Sequence, residues 1–218
     1  MKLYKKNLKK LIKGNIYNPN QEHDACGVGF VSSTEGKKSR KVVEYGIKAL
    51  KAVFHRGAVD ADGKTGDGAG IHLEIPSDFF TEKIELTGHK HDNSEICIGM
   101  IFLPRNNYEA QENARTLVES ELTKSNFSIY GWRQVPVNTK VLGEKANLTR
   151  PEITQVLFKN NNDKITGKNL ERKLYESRRK IEKEAIKSSL EGFYICSLSS
   201  KSIIYKGMFL AESIADFY

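Results

Sequence analysis

The sequence is short of cysteine and lacks any long apolar run, and each shortage removes a class of explanation. Three cysteines, Cys26, Cys97 and Cys196, are an odd number without metal-type spacing, so neither a disulfide framework nor a zinc site is indicated. The longest apolar run, Ile96 to Leu103, falls well short of the roughly 18 residues of a membrane span and is followed at once by Pro104. It predicts a buried strand, and no membrane partner. The histidines show no ligand spacing beyond His89-Lys90-His91, which lies in a polar stretch, so no metal is predicted. No internal repeat is found.

What is present is basic charge, unevenly placed. Of the net charge of +8, half lies in residues 1–25, which carry six lysines against Glu22 and Asp24. In the rest of the chain Lys and Arg alternate with Glu along stretches such as Glu171 to Lys187, the pattern of a solvated helix face. A nucleic-acid partner is therefore not indicated. The leader holds Leu3, Leu8, Leu11 and Ile12, but lysines interrupt it before the unbroken stretch of about 7–15 apolar residues that a secretory signal needs. The cytoplasm is the expected location. With 218 residues, 39% hydrophobic and 28% charged, the chain has the composition of one soluble domain.

Hydrophobic periodicity gives the elements. Cys26-Gly-Val-Gly-Phe-Val predicts a short glycine-rich strand, and Val43, Ile47, Leu50 and Phe54 predict one face of a helix that Gly57 ends. Alternation at Ile71, Leu73 and Ile75 predicts a strand stopped by Pro76, and Ile96 to Leu103 one buried on both faces. Helices are expected around 110–122 and 170–186, with extended segments at 127–137 and 153–158. Phe193 to Leu198 and Ser202 to Gly207 are separated only by Ser199-Ser-Lys, which favours a hairpin. Strands in clusters with helices between the clusters argue for an α+β fold.

Three segments invite chemical readings. Gly63-Lys64-Thr65 looks like the end of a phosphate-binding loop, but that motif needs glycine where Ala58 stands. A calcium loop fails as well, since Lys64 occupies the place of an oxygen ligand. The five glycines from Gly57 to Gly70 leave a loop that faces a substrate or is purely structural, with equal weight on each. Cys97 and Cys196 lie in apolar runs and are read as small buried hydrophobes. Cys26, in Asp24-Ala25-Cys26-Gly27, is the candidate nucleophile. A thiol needs a base or a lowered pKa to react at neutral pH. Cleavage before Cys26 would supply an α-amine with a pKa of about 7.7–8.0 in the right range. On spacing alone, a cysteine buried in a tight strand stays slightly ahead.

The motifs taken together change that balance. Cys26-Gly-Val-Gly-Phe, His55-Arg-Gly-Ala with the glycine loop that follows, Gly131-Trp-Arg-Gln-Val-Pro-Val-Asn138, Val141-Leu-Gly-Glu144, Arg178-Arg-Lys-Ile-Glu182, Phe193-Tyr-Ile-Cys-Ser-Leu-Ser199 and Tyr205-Lys-Gly-Met208 resemble, in order and spacing, the class II glutamine amidotransferase domain of glutamate synthase large subunits. The resemblance implies an N-terminal-nucleophile hydrolase fold, a four-layer αββα sandwich, incomplete at the C-terminus in this chain. It implies a propeptide of residues 1–25 and an amidotransferase portion over 26–218. It implies that Cys26 attacks the side-chain amide of glutamine and releases ammonia through a thioester, with Arg56 and Gly57 supporting the site. No cofactor is expected within these residues; FMN and an iron-sulfur cluster are implied for the remaining domains of the large subunit, where ammonia meets 2-oxoglutarate. A small electron-transferring subunit or ferredoxin is the implied partner. Because the family's substrate-carboxylate arginine and oxyanion-hole Asn-Gly pair follow the last matched motif, the chain alone is expected to be a poor glutaminase. Two other readings compete: a noncatalytic interaction module with the basic leader as its arm, and an N-terminal-nucleophile amidase for another amide.

Overall fold

The computed structural model describes residues 2–14, 27–53, 57–92 and 94–218, without the side chains of Lys2 and Tyr4. The elements run α1 (Lys2–Lys13), α2 (Arg40–Ala52), β1 (Ala69–Glu74), α3 (Ser77–Glu85), β2 (Ile96–Leu103), α4 (Tyr108–Lys124), β3 (Phe127–Gln134), α5 (Glu144–Thr149), β4 (Glu152–Asn160), α6 (Gly167–Lys187), β5 (Tyr194–Ser199), β6 (Ser202–Gly207) and α7 (Ile214–Phe217). The mixture of helices with antiparallel sheet agrees with the α+β expectation.

Two sheets form, one of four strands in the order β3-β4-β2-β5 and one of two, β1-β6. Every pairing is antiparallel. Strand β2 sits inside the larger sheet and alternates between two cores, as a period of two requires. Ile96, Ile98 and Met100 point towards one core with Leu157, Cys196 and Ile203, where the two sheets meet. Cys97, Ile101 and Leu103 point the other way, to Val118 and Leu122 of α4 and Leu170, Leu174 and Ile181 of α6. The strand is therefore buried on both faces, as its unbroken apolar run predicts.

Helix boundaries follow local chemistry. Asn107 caps α4 by accepting a hydrogen bond from the Ala110 amide at 3.0 Å, and Ser39 caps α2 by accepting one from the Lys41 amide at 3.2 Å. Helix α2 ends at Ala52 with Val53 as its cap, so Gly57 does not end it. The Ala52 end falls one turn earlier because Val53 already closes the last turn by donating to Leu50 and Lys51. Phe54 lies outside the described residues. Helix α3 was not read from the sequence, although Phe80 and Ile84, four apart and fully buried, carry its core contacts.

Two strand assignments need correction. Residues 27–31 form no strand: Val28 and Phe30 are each 89% exposed, so neither a ladder nor a buried face fixes the segment there. Strands β5 and β6 exist where expected but do not pair as a hairpin, because the short turn carries the chain from one sheet to the other. Ser199 Oγ accepts from the amides of Lys201 and Ser202, at 3.0 and 3.1 Å, which makes this corner tight. Across it, the Ile204 amide donates to Ser197 Oγ at 3.3 Å, a side-chain contact in place of a ladder bond.

Candidate active site

Gly57 and its neighbours start a narrow excursion of the chain. Val59 bridges Gly66, the Asp60 amide donates to Thr65 at 2.8 Å, and the Asp67 amide donates to Ala58 at 3.3 Å, so the excursion returns beside its own base. Asp62 organises the tip. Its carboxylate accepts from the amides of Lys64 at 2.9 Å and Thr65 at 2.7 Å, and from the Thr65 hydroxyl at 2.5 Å. The Thr65 hydroxyl, the two amides and the Glu144 amide hold the Asp62 carboxyl well below the usual carboxylate range. Asp60 is lowered by the Lys145 ammonium, which it meets at 2.6 Å.

This network docks the loop on the start of α5. Thr65 is 3% exposed, and the Ala146 amide lies 3.4 Å from its hydroxyl. A Cβ at Gly143 would stand 2.2 Å from both Asp62 Oδ2 and Thr65 Oγ1, so only glycine lets α5 approach. Gly66 is constrained likewise, since a Cβ there would lie 2.7 Å from the Phe209 carbonyl. Lys64 is exposed and Thr65 is committed to Asp62, so the segment is not folded as a phosphate cradle.

The second half of the loop has a different role. Asp67 to Gly70 line a cleft of about 570 Å³ whose other walls include Leu142, Ala146, Ile153, Lys206 and Phe209. The sequence left a structural and a substrate-facing loop equally open, and the structure divides them: residues up to Gly66 are locked in place, whereas Asp67 to Gly70 face an open cavity. Gly57 is exposed at the base of this excursion, next to Ala58, whose carbonyl holds Asp67.

Cys26, His55 and Arg56 lie outside the described residues. A side chain built at Gly29 would meet Ala49 Cβ at 3.9 Å, which places the backbone three residues after Cys26 beside the last turn of α2, the helix leading towards Arg56. The two remaining cysteines are buried and free, Cys97 in the helix-facing core and Cys196 in the core between the sheets. Burial pushes both thiols up, which opposes thiolate formation and suits the reading of small hydrophobes.

His89 and His91 each have a polar partner of their own. His89 Nδ1 pairs with the Thr87 hydroxyl at 2.9 Å, His91 Nε2 lies 3.1 Å from the Ser94 carbonyl, and both rings pack on Tyr130. Among the described residues, no group of three or more His, Cys, Asp or Glu side chains could hold a metal ion. No described helix is long and apolar enough to cross a membrane.

Sequence reasoning missed the docking of the loop on α5 and the cleft beyond it. The signal for the first was local: Asp62 followed at two and three residues by amides it can accept from is a turn pattern. The cleft joins residues from the loop, β4, β6 and α7, and no sequence interval marks it.

The sequence profile of the class-II glutamine amidotransferases matches residues 26–218. The glutamate synthase (NADPH) large chain of Azospirillum brasilense is 53% identical over 215 residues, covering 99% of this chain and 14% of that protein. The ferredoxin-dependent glutamate synthase of Pyropia yezoensis is 38% identical over 202 residues, covering 91% of this chain and 13% of that protein. Ferredoxin-dependent glutamate synthase 2 of Synechocystis is 38% identical over 199 residues, again 91% of this chain and 12% of that protein. The chain thus spans about one seventh or less of the length of these relatives.

Proposed function

The chain belongs to the class II glutamine amidotransferases, and on that premise we propose that it performs the glutaminase half of glutamate synthesis with Cys26 as an N-terminal nucleophile. The observation that carries the assignment is that the family match begins at Cys26 itself and continues through residue 218, leaving the basic leader outside. Residues 1–25 are then a propeptide and 26–218 the amidotransferase portion. Arg56 and Gly57 support the site, and Gly57 lies at the base of the glycine excursion, whose far side opens on the cleft. The four-layer αββα arrangement of N-terminal-nucleophile hydrolases is the finer fold assignment. Two stacked antiparallel sheets with α4 and α6 on an outer face support it.

Removal of the leader converts the Cys26 amide nitrogen, which cannot accept a proton, into an amine with a pKa of about 7.7–8.0 that can. The amine takes the thiol proton and the sulfur attacks the amide carbon of glutamine. The amine then returns the proton to the leaving nitrogen, which departs as ammonia. Water attacks the resulting thioester, giving glutamate and regenerating the thiol.

Ammonia is then used with 2-oxoglutarate in other domains of a longer large subunit. FMN and an iron-sulfur cluster are assigned there, not to this chain. A cluster commonly takes four cysteine thiolates, while this chain has three cysteines and two of them are buried in separate cores. A small electron-transferring subunit or ferredoxin is the partner in this reading, and the relatives include both an NADPH-type large chain and ferredoxin-dependent enzymes. A cytoplasmic location is part of the same proposal, because lysines break up the leader's apolar residues.

The test is made on the complete enzyme. Intact-mass measurement of active protein should show that it begins at Cys26. Cys26→Ala should lower glutamine-dependent turnover by roughly 10⁴-fold or more, while synthesis from added ammonia persists. Full activity with the leader attached would exclude the α-amine as base. Loss of the ammonia-dependent reaction in a folded variant would remove Cys26 from amide hydrolysis.

A further inference from the structure

Most described arginines have evident partners. Arg40, Arg115, Arg172, Arg178 and Arg179 pair with glutamates, and Arg133 donates to Gln155. Arg105 and Arg150 have no carboxylate within ion-pair distance among the described residues. Both line one cavity of about 180 Å³, together with Leu103, Pro104, Leu148 and Pro151. Arg105 follows β2 and Arg150 joins α5 to β4, so tertiary folding alone brings them together.

Their settings differ. Arg105 donates to the Asn147 carbonyl at 3.0 Å and is anchored by it. Arg150 Nε is buried and has no hydrogen-bond partner. Burial and the neighbouring Arg105 charge both pull the Arg150 pKa down. Glu152 is the acidic group that acts on Arg150, but its carboxylate accepts from Gln134 Nε2 at 2.6 Å. Two half-buried guanidinium groups on one cavity, neither paired with a carboxylate among the described residues, repel each other unless an anion lies between them.

The dimensions narrow the ligand. Pockets for drug-sized molecules hold roughly 300–1,000 Å³, so a cavity of about 180 Å³ excludes a nucleotide and suits a short acid. Guanidinium groups bind carboxylate and phosphate alike, often with two parallel hydrogen bonds. The leucine and proline walls favour an organic acid with an aliphatic body over an inorganic anion.

We propose that the cavity between Arg105 and Arg150 binds a small aliphatic carboxylate, with the half-buried Arg150 guanidinium as its main contact and Arg105, anchored on Asn147, as the second. Arg150 and Pro151 also line the larger cleft beside Asp67 to Gly70, so the two spaces adjoin; the test reads binding and does not depend on glutaminase activity.

The experiment follows the whole chain by calorimetric titration and thermal melting in chloride buffer at fixed ionic strength. Glutarate and butyrate are the carboxylate probes and sulfate the inorganic one. Saturable carboxylate binding, with a matching rise in melting temperature, is expected. Arg150→Gln should weaken it at least about tenfold, equivalent to 1.4 kcal/mol, and Arg105→Gln should weaken it less. Arg172→Gln, on exposed α6 surface, should leave it unchanged. Arg150→Met guards against a misfolded variant: in chloride it should melt at or above the parent temperature, yet lose the carboxylate response. Absence of saturable carboxylate binding, an equal response in Arg150→Gln, or tighter binding of sulfate than of either carboxylate would each overturn the proposal.

Discussion

In β2 every residue except Phe102 is buried, and in β4 every residue except Glu152 and Lys159. Between Gly27 and Val53, by contrast, not one residue is buried, although this stretch runs from the residue after the proposed nucleophile to the helix before Arg56. The first region is fixed by apolar surface removed from water on both faces. The second rests on a few contacts, such as Ala49 beneath Gly29 and Gly46 against Ile71. Between these extremes lies the excursion 57–66, held by a buried threonine hydroxyl and an exposed carboxylate instead of apolar burial. A scaffold stable in its own right can carry chemically active segments that contribute little to stability.

The largest expected effect comes from the buried side. Phe158 is fully buried and meets Phe127 edge-on at 5.3 Å, so Phe158→Ala should cost about 3–5 kcal/mol in denaturant unfolding. A loss below about 1 kcal/mol would show that this core repacks freely and would erase the contrast.

The polar lock should answer to pH. The Asp62 carboxyl is depressed in the folded chain, so its contribution to stability is present above its unfolded pKa, about 3.9, and is lost as pH falls below that value. Asp62→Asn should therefore flatten part of the acid limb of melting temperature against pH. The Asp92, Asp60 and Glu184 carboxyls, lowered mainly by Lys159, Lys145 and Lys187 respectively, should keep the remainder. An acid limb identical in parent and variant would mean that the loop is held by something other than this carboxylate.

The smallest effect is expected at Phe30. At 89% exposure, Phe30→Ser should change unfolding free energy by no more than about 0.5 kcal/mol. A loss of about 2 kcal/mol or more would place Phe30 in a buried contact and break the comparison from the other side.

Periodicity and punctuation determined most elements of this protein, because they depend on residues close in sequence. The alternation of β2, the apolar stripes of α4 and α6, and the strands at β5 and β6 are of this kind. The family, too, was legible from the ordered motifs that start at Cys26, and the profile match over residues 26–218 agrees. Which strands pair was decided only by the fold. Ser199-Ser-Lys reads as a hairpin turn, but the apolar faces of β5 and β6 are better satisfied in two stacked sheets, with β2 and β1 as their respective partners. The same holds for Asp62 beside Gly143 and for Arg150 beside Arg105, each pair far apart in sequence. Local propensity sets what a segment can become. Long-range packing sets what it touches, because the free energy of a contact depends on both partners and on the water excluded between them.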